Sequence, residues 1–350
     1  MADAARVCVV VVNWNGWQDT LECLESLLRS DYPEYRVIVC DNGSTDGSLE
    51  RLAEWARGRL PAPVVPESPL RRLSWPPLPK PVPHLVHGGG GAGPVARPAA
   101  PRLELVAAGS NRGFAAGNNV ALRLALDTGG FDYAWLLNND TVVEPDALPQ
   151  LVARMLAKPA AGMCGSTLRF YQPPHEVQAY GGARYNRWFG VPSNIDRLRR
   201  GETPADVEGR LDYVMGASLL VSASFVRDVG LMSEDYFLFC EEVDWATRGR
   251  GRYSLAYAPG SVVYHKGGRS TGLSRGGCSP LADRQMIRSQ LVFARQHTPG
   301  LLPLVALRHL LVLGNSVRRR QPERIRMLAQ VYLDLLRGRY RPGVGAKNQD

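Results

Sequence analysis

The sequence lacks several features that would have fixed its class at once. No run of about 20 uninterrupted apolar residues is present, so no membrane-spanning helix is expected. There is no Cys-x-x-Cys pair: Cys8, Cys23, Cys40, Cys164, Cys240 and Cys278 are scattered. Reduced, buried thiols are expected rather than a disulfide framework, which suggests a reducing, cytoplasmic setting. The start does not read as a signal peptide, because Asp3 precedes Arg6 and Asn13 ends the apolar run Val7–Val12. No G-x-x-x-x-G-K-[ST] occurs, and Gly113-x-x-x-Gly117 is not the dinucleotide fingerprint. A P-loop NTPase and a typical nicotinamide enzyme are both disfavoured.

Net positive charge is also missing from most of the chain. The net charge is +9, yet Arg284 to Lys347 alone holds 13 basic and 2 acidic residues. The main body is therefore close to neutral, and chain-wide nucleic-acid binding loses its support.

What is there reads as α/β. Arg6–Asn13 and Tyr35–Cys40 are continuous β-prone runs, each followed by residues at helical spacing, over Thr20–Ser30 and Ser48–Arg57. Such alternation predicts parallel βαβ units. Residues 61–102 interrupt it with 12 of the 26 prolines and a Gly88–Gly91 run. That composition predicts a disordered or extended insertion without a core. The pattern resumes with a strand at Leu103–Ala107, a helix at Val120–Asp127, a strand at Tyr133–Leu137 and a helix at Pro145–Ala157. Residues 171–210, with Trp188 and Phe189, read as polar and irregular. The segment after about residue 280 reads as helical and arginine-rich.

Four of the strands end in polar clusters: Asn13-Trp-Asn15, Asp41–Asp46 with Asn42 and Ser44, Ser110-Asn111-Arg112, and Asn138-Asn139-Asp140. Asn, Asp and Gly favour turns, so one such cluster is ordinary. Four at strand ends match the edge where open α/β sheets bind ligands. Asp41 is able to accept a hydrogen bond from the imide N–H of uracil or thymine, or simply to form a turn. Asp140 suits a hard cation bridging two phosphates, or a helix cap. Glu241, Glu242 and Asp244 form a carboxylate cluster, suited to a general base or to the first turn of a solvated helix. His265, at a strand end, is a ligand or a structural histidine.

In their order, these residues resemble the family 2 inverting glycosyltransferases, with bacterial rhamnosyltransferase-like enzymes as the nearest subgroup. The resemblance rests on the Val-Val-Asn-Trp-Asn-Gly start, Asp41-Asn-Gly-Ser-Thr-Asp-Gly, Asn111-Arg-Gly-Phe-Ala-Ala-Gly-Asn-Asn, Leu-Leu-Asn-Asn-Asp-Thr, Met215-Gly-Ala, Glu241-Glu-Val-Asp and His265-x-Gly-Gly. It covers roughly residues 6–270 outside the insertion. It implies a GT-A fold, a Rossmann-like mixed sheet flanked by helices, over residues 1–275, with a basic helical extension over 276–350. It further implies a UDP- or dTDP-sugar donor, with rhamnose a candidate sugar, and a glycan or polyprenyl-linked acceptor, as in cell-surface polysaccharide biosynthesis.

Residue roles follow from the same resemblance. Asp41 would contact the base, while Asn13 and residues Asn111, Arg112 and Gly113 would line the nucleotide pocket. Asp140 would hold a divalent metal, Mn²⁺ or Mg²⁺, and His265 would add a ligand. Asn138 and Asn139 stand where the family is often acidic. Glu242 matches the base position, with Glu241 and Asp244 as rivals, and Gly216 and Ala217 would leave room for donor and acceptor. The rival function is a binding protein on a degenerate transferase fold. In the tail, Leu301–Leu313 reads as too short and interrupted to span a bilayer. Its apolar and arginine-rich faces suit either packing on the catalytic domain or peripheral contact with an anionic membrane.

Overall fold

Unbroken β-branched runs become central strands. In the computed structural model, which describes residues 4–62, 68–87, 102–267 and 279–337, β1 (Val7–Asn13) pairs in parallel with β2 (Tyr35–Asp41). Both are buried on both faces, as strands under helices on each side must be. Helix α1 (Trp17–Leu27) joins them, and α2 (Ser48–Ala56) follows. Next come α3 (Arg71–Ser74), β3 (His84–His87), β4 (Leu103–Ala107), α4 (Phe114–Asp127), β5 (Tyr133–Asn138), β6 (Thr141–Val143) and α5 (Ala147–Ala157). The remainder comprises β7 (Ala161–Phe170), β8 (Val177–Tyr180), β9 (Gly182–Asn186), β10 (Val191–Asn194), α6 (Pro204–Glu208), β11 (Tyr213–Val214), β12 (Ser218–Ser222), α7 (Ala223–Val229), α8 (Glu241–Gly249) and β13 (Ser254–His265). Three helices close the described chain: α9 (Pro280–His297), α10 (Leu302–Arg318) and α11 (Pro322–Leu336).

The main sheet runs β3-β4-β2-β1-β5-β12-β7-β13-β6, with β8 beside β7. Strands β3, β4, β2, β1 and β5 are mutually parallel, whereas β12 is antiparallel to β5 and β7. This is a mixed α/β sheet with a GT-A arrangement. Two apolar layers cover it. One centres on Leu21, Leu24, Trp55, Trp135 and Leu151, the other on Ile38, Leu122, Phe225, Tyr236 and Trp245. Parallel order puts the carboxyl ends of β4, β2, β1 and β5 on one edge, as the four polar clusters required.

Three expectations fail here. Residues 68–87 of the proline-rich insertion are built into the fold: β3 adds to the sheet edge, and Leu70 and Leu73 are buried against Val142, Tyr171 and Tyr264. A few leucines in register outweigh a composition that looks coreless. The rest of that segment, 63–67 and 88–101, lies outside the described residues. Residues 171–210 are likewise not irregular. β9 alternates buried Ala183 and Tyr185 with exposed Arg184 and Asn186, and pairs with β10 as a hairpin and with β11. Finally, Pro299–Arg318 forms a 20-residue helical stretch of mean hydropathy 1.5, long and apolar enough by length and composition to cross a membrane. A run that stops at Leu313 and breaks at Arg308-His309 looks too short; the helix continues through both. Five cysteines, Cys8, Cys23, Cys40, Cys164 and Cys240, are buried thiols, and burial pushes those of Cys8, Cys23 and Cys40 up to about 12. Cys278 lies outside the described residues.

Candidate active site

The ends of β1 and β2 form the first half of the site. Asn13 and Asp41 are register partners. The Asn13 side-chain amide donates to Asp41 Oδ1 at 2.8 Å and to Ser44 Oγ at 3.1 Å, while Thr20 Oγ1 donates to Asn13 Oδ1 at 2.8 Å. The second Asp41 oxygen accepts from the Ser44 backbone N–H at 3.1 Å. Asn15 joins from the rim: its N–H donates to Ser44 Oγ, and its Oδ1 accepts from Thr45 N–H at 2.8 Å. Asn42 donates to Asn111 Oδ1 and to the Gly113 carbonyl, and its own Oδ1 is buried without a partner. Gly113 is required. Its φ is +95°, and a Cβ there would lie 2.2 Å from the Phe237 carbonyl oxygen. Arg112 is not drawn into this pocket: its guanidinium pairs with Glu234 at 2.8 Å in an exposed contact.

The second half gathers at the end of β5. Register brings Asn138 beside Val12, and its N–H donates to the Ala217 carbonyl at 3.2 Å. Asn139 Nδ2 donates to Thr20 Oγ1 and to the Gly16 carbonyl, which ties it to α1. Asp140 is buried, and its Oδ1 lies 3.2 Å from His265 Nε2. Asn138 Nδ2 is 3.3 Å from the same nitrogen. The other ring nitrogen, Nδ1, is 2.9 Å from Gln178 Oε1. A carbonyl oxygen accepts only, so the neutral ring carries its proton on Nδ1 and presents the Nε2 lone pair towards Asp140. Burial disfavours the imidazolium, and the Asp140 carboxylate more than reverses this, raising the ring above its ordinary value. Beside them, Lys266 Nζ bridges Asp19 and Glu22 at 2.6 Å each. Burial lowers its pKa and the two carboxylates raise it further, so it stays charged.

The three acids of α8 separate cleanly. Asp244 is buried and bonded on both sides, to Arg248 at 2.8 Å and to His297 at 2.7 Å; it anchors α9. Glu241 is buried, with Oε2 unpartnered. Burial first, then Glu242, raise its pKa well above the usual carboxylate range. Glu242 is only partly buried, and its Oε1 accepts from Gly216 N–H at 3.2 Å. Burial raises its pKa, opposed by the backbone N–H groups of Glu242 and Gly216. A Cβ on Gly216 would lie 2.2 Å from Glu242 Oε1. The chain leading into α8 is held in the left-handed region at two non-glycine residues, Phe239 (φ +69°) and Cys240 (φ +67°), a costly conformation that clusters at functional sites.

A continuous set of contacts thus runs from Glu242 through Gly216 and Ala217 to Asn138, His265 and Asp140. Sequence reasoning names all of these. It misses Gln178, Thr20, Lys266, Asp19 and Glu22. Gln178 sits on β8, inside the segment that reads as irregular from its polarity. The alternation of Val177-Gln-Ala-Tyr180 is the one signal in the sequence that points to a strand there.

Among the described residues, no group of three or more His, Cys, Asp or Glu side chains converges as a ready-made metal cage. Asp140 and His265 offer one hard oxygen and one oriented imidazole nitrogen. That donor set fits part of the coordination of a divalent cation.

The Glycosyl transferase family 2 model matches residues 8–66 and 94–205. The N-acetylglucosaminyl-diphospho-decaprenol L-rhamnosyltransferase of Mycobacterium tuberculosis (strain H37Rv) is 25% identical, over 91% of this chain and 97% of its own. Among solved structures, the fold is similar to a mannosyltransferase from Pyrobaculum calidifontis in complex with GDP-Man and Mn²⁺, at 16% identity and a TM-score of 0.50, covering 96% of this chain and 87% of that one. It is also similar to S. aureus TarS 1–349 in complex with UDP-GlcNAc, at 15% identity and a TM-score of 0.52, covering 93% and 80%.

Proposed function

This chain belongs to the family 2 glycosyltransferases and is rhamnosyltransferase-like, and from that premise we propose that it moves a sugar, rhamnose being the first candidate, from a UDP- or dTDP-sugar to a lipid-linked glycan with inversion. The observation that carries this reading is the juxtaposition of Glu242, Gly216, Asn138 and the Asp140–His265 pair along one strand edge. The decaprenol-linked acceptor of the mycobacterial relative supports the acceptor class.

Asp41 accepts the imide N–H of uracil or thymine, and Asn13 and Ser44 hold its carboxylate in place. Asn15, Asn42, Asn111 and Gly113 shape the wall around it, and Asn139 fixes the turn that carries Asp140. Asp140 and His265 would hold Mn²⁺ or Mg²⁺, which would supply charge neutralisation for the diphosphate. Gln178 keeps His265 in the tautomer that binds metal.

Glu242 is the base. Asp244 is engaged by Arg248 and His297, and Glu241 is buried away from Gly216, its pKa raised by burial. Glu242 takes the proton of the acceptor hydroxyl, whose oxygen attacks the anomeric carbon from the face opposite the phosphate. The bond from that carbon to the phosphate oxygen breaks, and the nucleoside diphosphate leaves. Gly216 and Ala217 give sugar and acceptor room beside the base.

A panel of nucleotide-sugars tested by thermal shift with Mn²⁺, followed by transfer with the best donor and NMR of the product linkage, tests this. The expected outcome is a uridine or thymidine donor and an inverted anomeric centre. A retained configuration, or preference for a purine nucleotide, contradicts it.

A further inference from the structure

Helix α10 carries apolar residues on two sides. One side, with Val305 and the partly buried Leu302, Val312 and Leu313, packs with α9 and α11, and His309 and Ser316 are buried on α10 as well. The opposite stripe, Leu307, Leu310, Leu311 and Val317, recurs at helical spacing and is exposed, with Leu310 at 58% and Leu311 at 70%. Contiguous apolar surface of this kind on a soluble face marks a partner. Arg318, Arg319 and Arg320 follow at its end, all exposed.

A second, sequence-distant element meets the same helix. The tip of the β9–β10 hairpin abuts it: a Cβ on Gly190 would lie 3.5 Å from Val305 Cγ1 on α10 and from Gln290 on α9. That tip exposes two aromatics, Trp188 at 59% and Phe189 at 47%. Exposed leucines, two aromatics and an arginine run together have the composition of a surface seated at a lipid–water interface.

We propose that the exposed stripe of α10, with the arginines that follow it, docks on an anionic lipid bilayer, α10 lying along the headgroups and the exposed aromatics of the neighbouring hairpin tip adding a second contact. Charge selects this occupant. The segment from Arg284 to Lys347, with 13 basic and 2 acidic residues, attracts anionic headgroups and repels a second copy of itself. Packing argues against a spanning role for α10. His309 is buried and bonded through both ring nitrogens, to Tyr332 and Gln290 at 2.9 Å each. Leaving α9 and α11 for lipid would strip these polar partners.

The surface also has a direct route to the reacting edge. Strand β9 pairs with β11 through Ala183–Tyr213 and Gly182–Val214, two residues before Gly216. One end of the hairpin meets the bilayer, and its root stands next to the group that contacts Glu242. This rests on the lipid-linked acceptor reading: the surface would hold the enzyme where such an acceptor is presented.

The test is flotation of the full-length chain with vesicles that contain no glycolipid, phosphatidylglycerol with phosphatidylcholine against phosphatidylcholine alone. Binding to the anionic vesicles is expected, weakening as salt rises. The Leu310→Asp/Leu311→Asp variant should lose about a hundredfold in partitioning, and Trp188→Ala/Phe189→Ala about tenfold. Arg318→Gln/Arg319→Gln/Arg320→Gln should lose about a hundredfold on anionic vesicles. All three change exposed side chains, so unaltered melting and unaltered transfer to a soluble acceptor are expected. Absent flotation, resistance to extraction at alkaline pH, or a dimer that Leu310→Asp/Leu311→Asp splits would each overturn the proposal. Docking that persists while every lipid-linked glycan is refused would sink the acceptor reading and leave the docking surface standing.

Discussion

The two halves of the site differ in how their carboxylates are held. Around Asp41, both carboxylate oxygens are satisfied by neighbours, and Asn13, Thr20, Ser44 and Asn111 form a web over strand ends in register; the costs there are one buried oxygen without a partner, Asn42 Oδ1, and one left-handed non-glycine residue, Asn15. Around Glu242 the protein tolerates cost. Two non-glycine residues are left-handed, Glu241 keeps an oxygen without a partner, and burial raises the pKa of both glutamates. On the proposed reading, donor recognition would use a surface fixed before the ligand arrives. Base catalysis needs a carboxylate that its surroundings make eager for a proton, and such a group is expensive to hold.

Breaking the Glu242 half should have the larger effects. Gly216→Ala places a methyl group 2.2 Å from Glu242 Oε1, so the carboxylate must shift. Because misplacing a reacting group by about 1 Å costs roughly a hundredfold, kcat should fall by about that much with donor affinity nearly intact. A Gly216→Ala enzyme with normal kcat would show that Glu242 does not act from this position. Gln178→Ala removes the acceptor that orients His265. Mn²⁺ affinity, read by calorimetry without donor or acceptor, should weaken about 10–100-fold, and unchanged affinity would detach Gln178 from the metal. Asp41→Asn exchanges a charged acceptor for a neutral amide in the web. Donor Kd should rise about tenfold while kcat at saturation holds; an equal loss in both would erase the distinction between the halves.

The smallest effect is the pH response. As the proposed base, Glu242 would act only when deprotonated, and its pKa is raised above the ordinary 4.5 by burial. At saturating metal, kcat should be full above that raised value and fall as pH drops through it. An acid limb centred on 4.5 would mean that Glu242 is solvated in the working enzyme.

The strand-end chemistry is legible in the sequence because short-range order carries it. A buried β run followed by Asn, Asp or Gly fixes both the strand and the edge on which its cluster sits, as Asn13, Asp41 and Asn138 demonstrate. Glu241, Glu242 and Asp244 cannot be ranked from sequence, since their difference lies in distant partners: Arg248 and His297 for Asp244, Gly216 for Glu242. Gln178 stays hidden for the same reason, 87 residues from the histidine that it orients. Residues 68–87 are misjudged because composition averages over prolines that the fold leaves on the surface and leucines that it buries.

The most direct measurement is Glu242→Gln, assayed for both transfer and donor binding. The side chain keeps its size and still accepts from Gly216, but it no longer takes a proton. The account predicts transfer reduced by about 10²–10⁴-fold with donor Kd unchanged within about twofold. Transfer at the wild-type rate would contradict it.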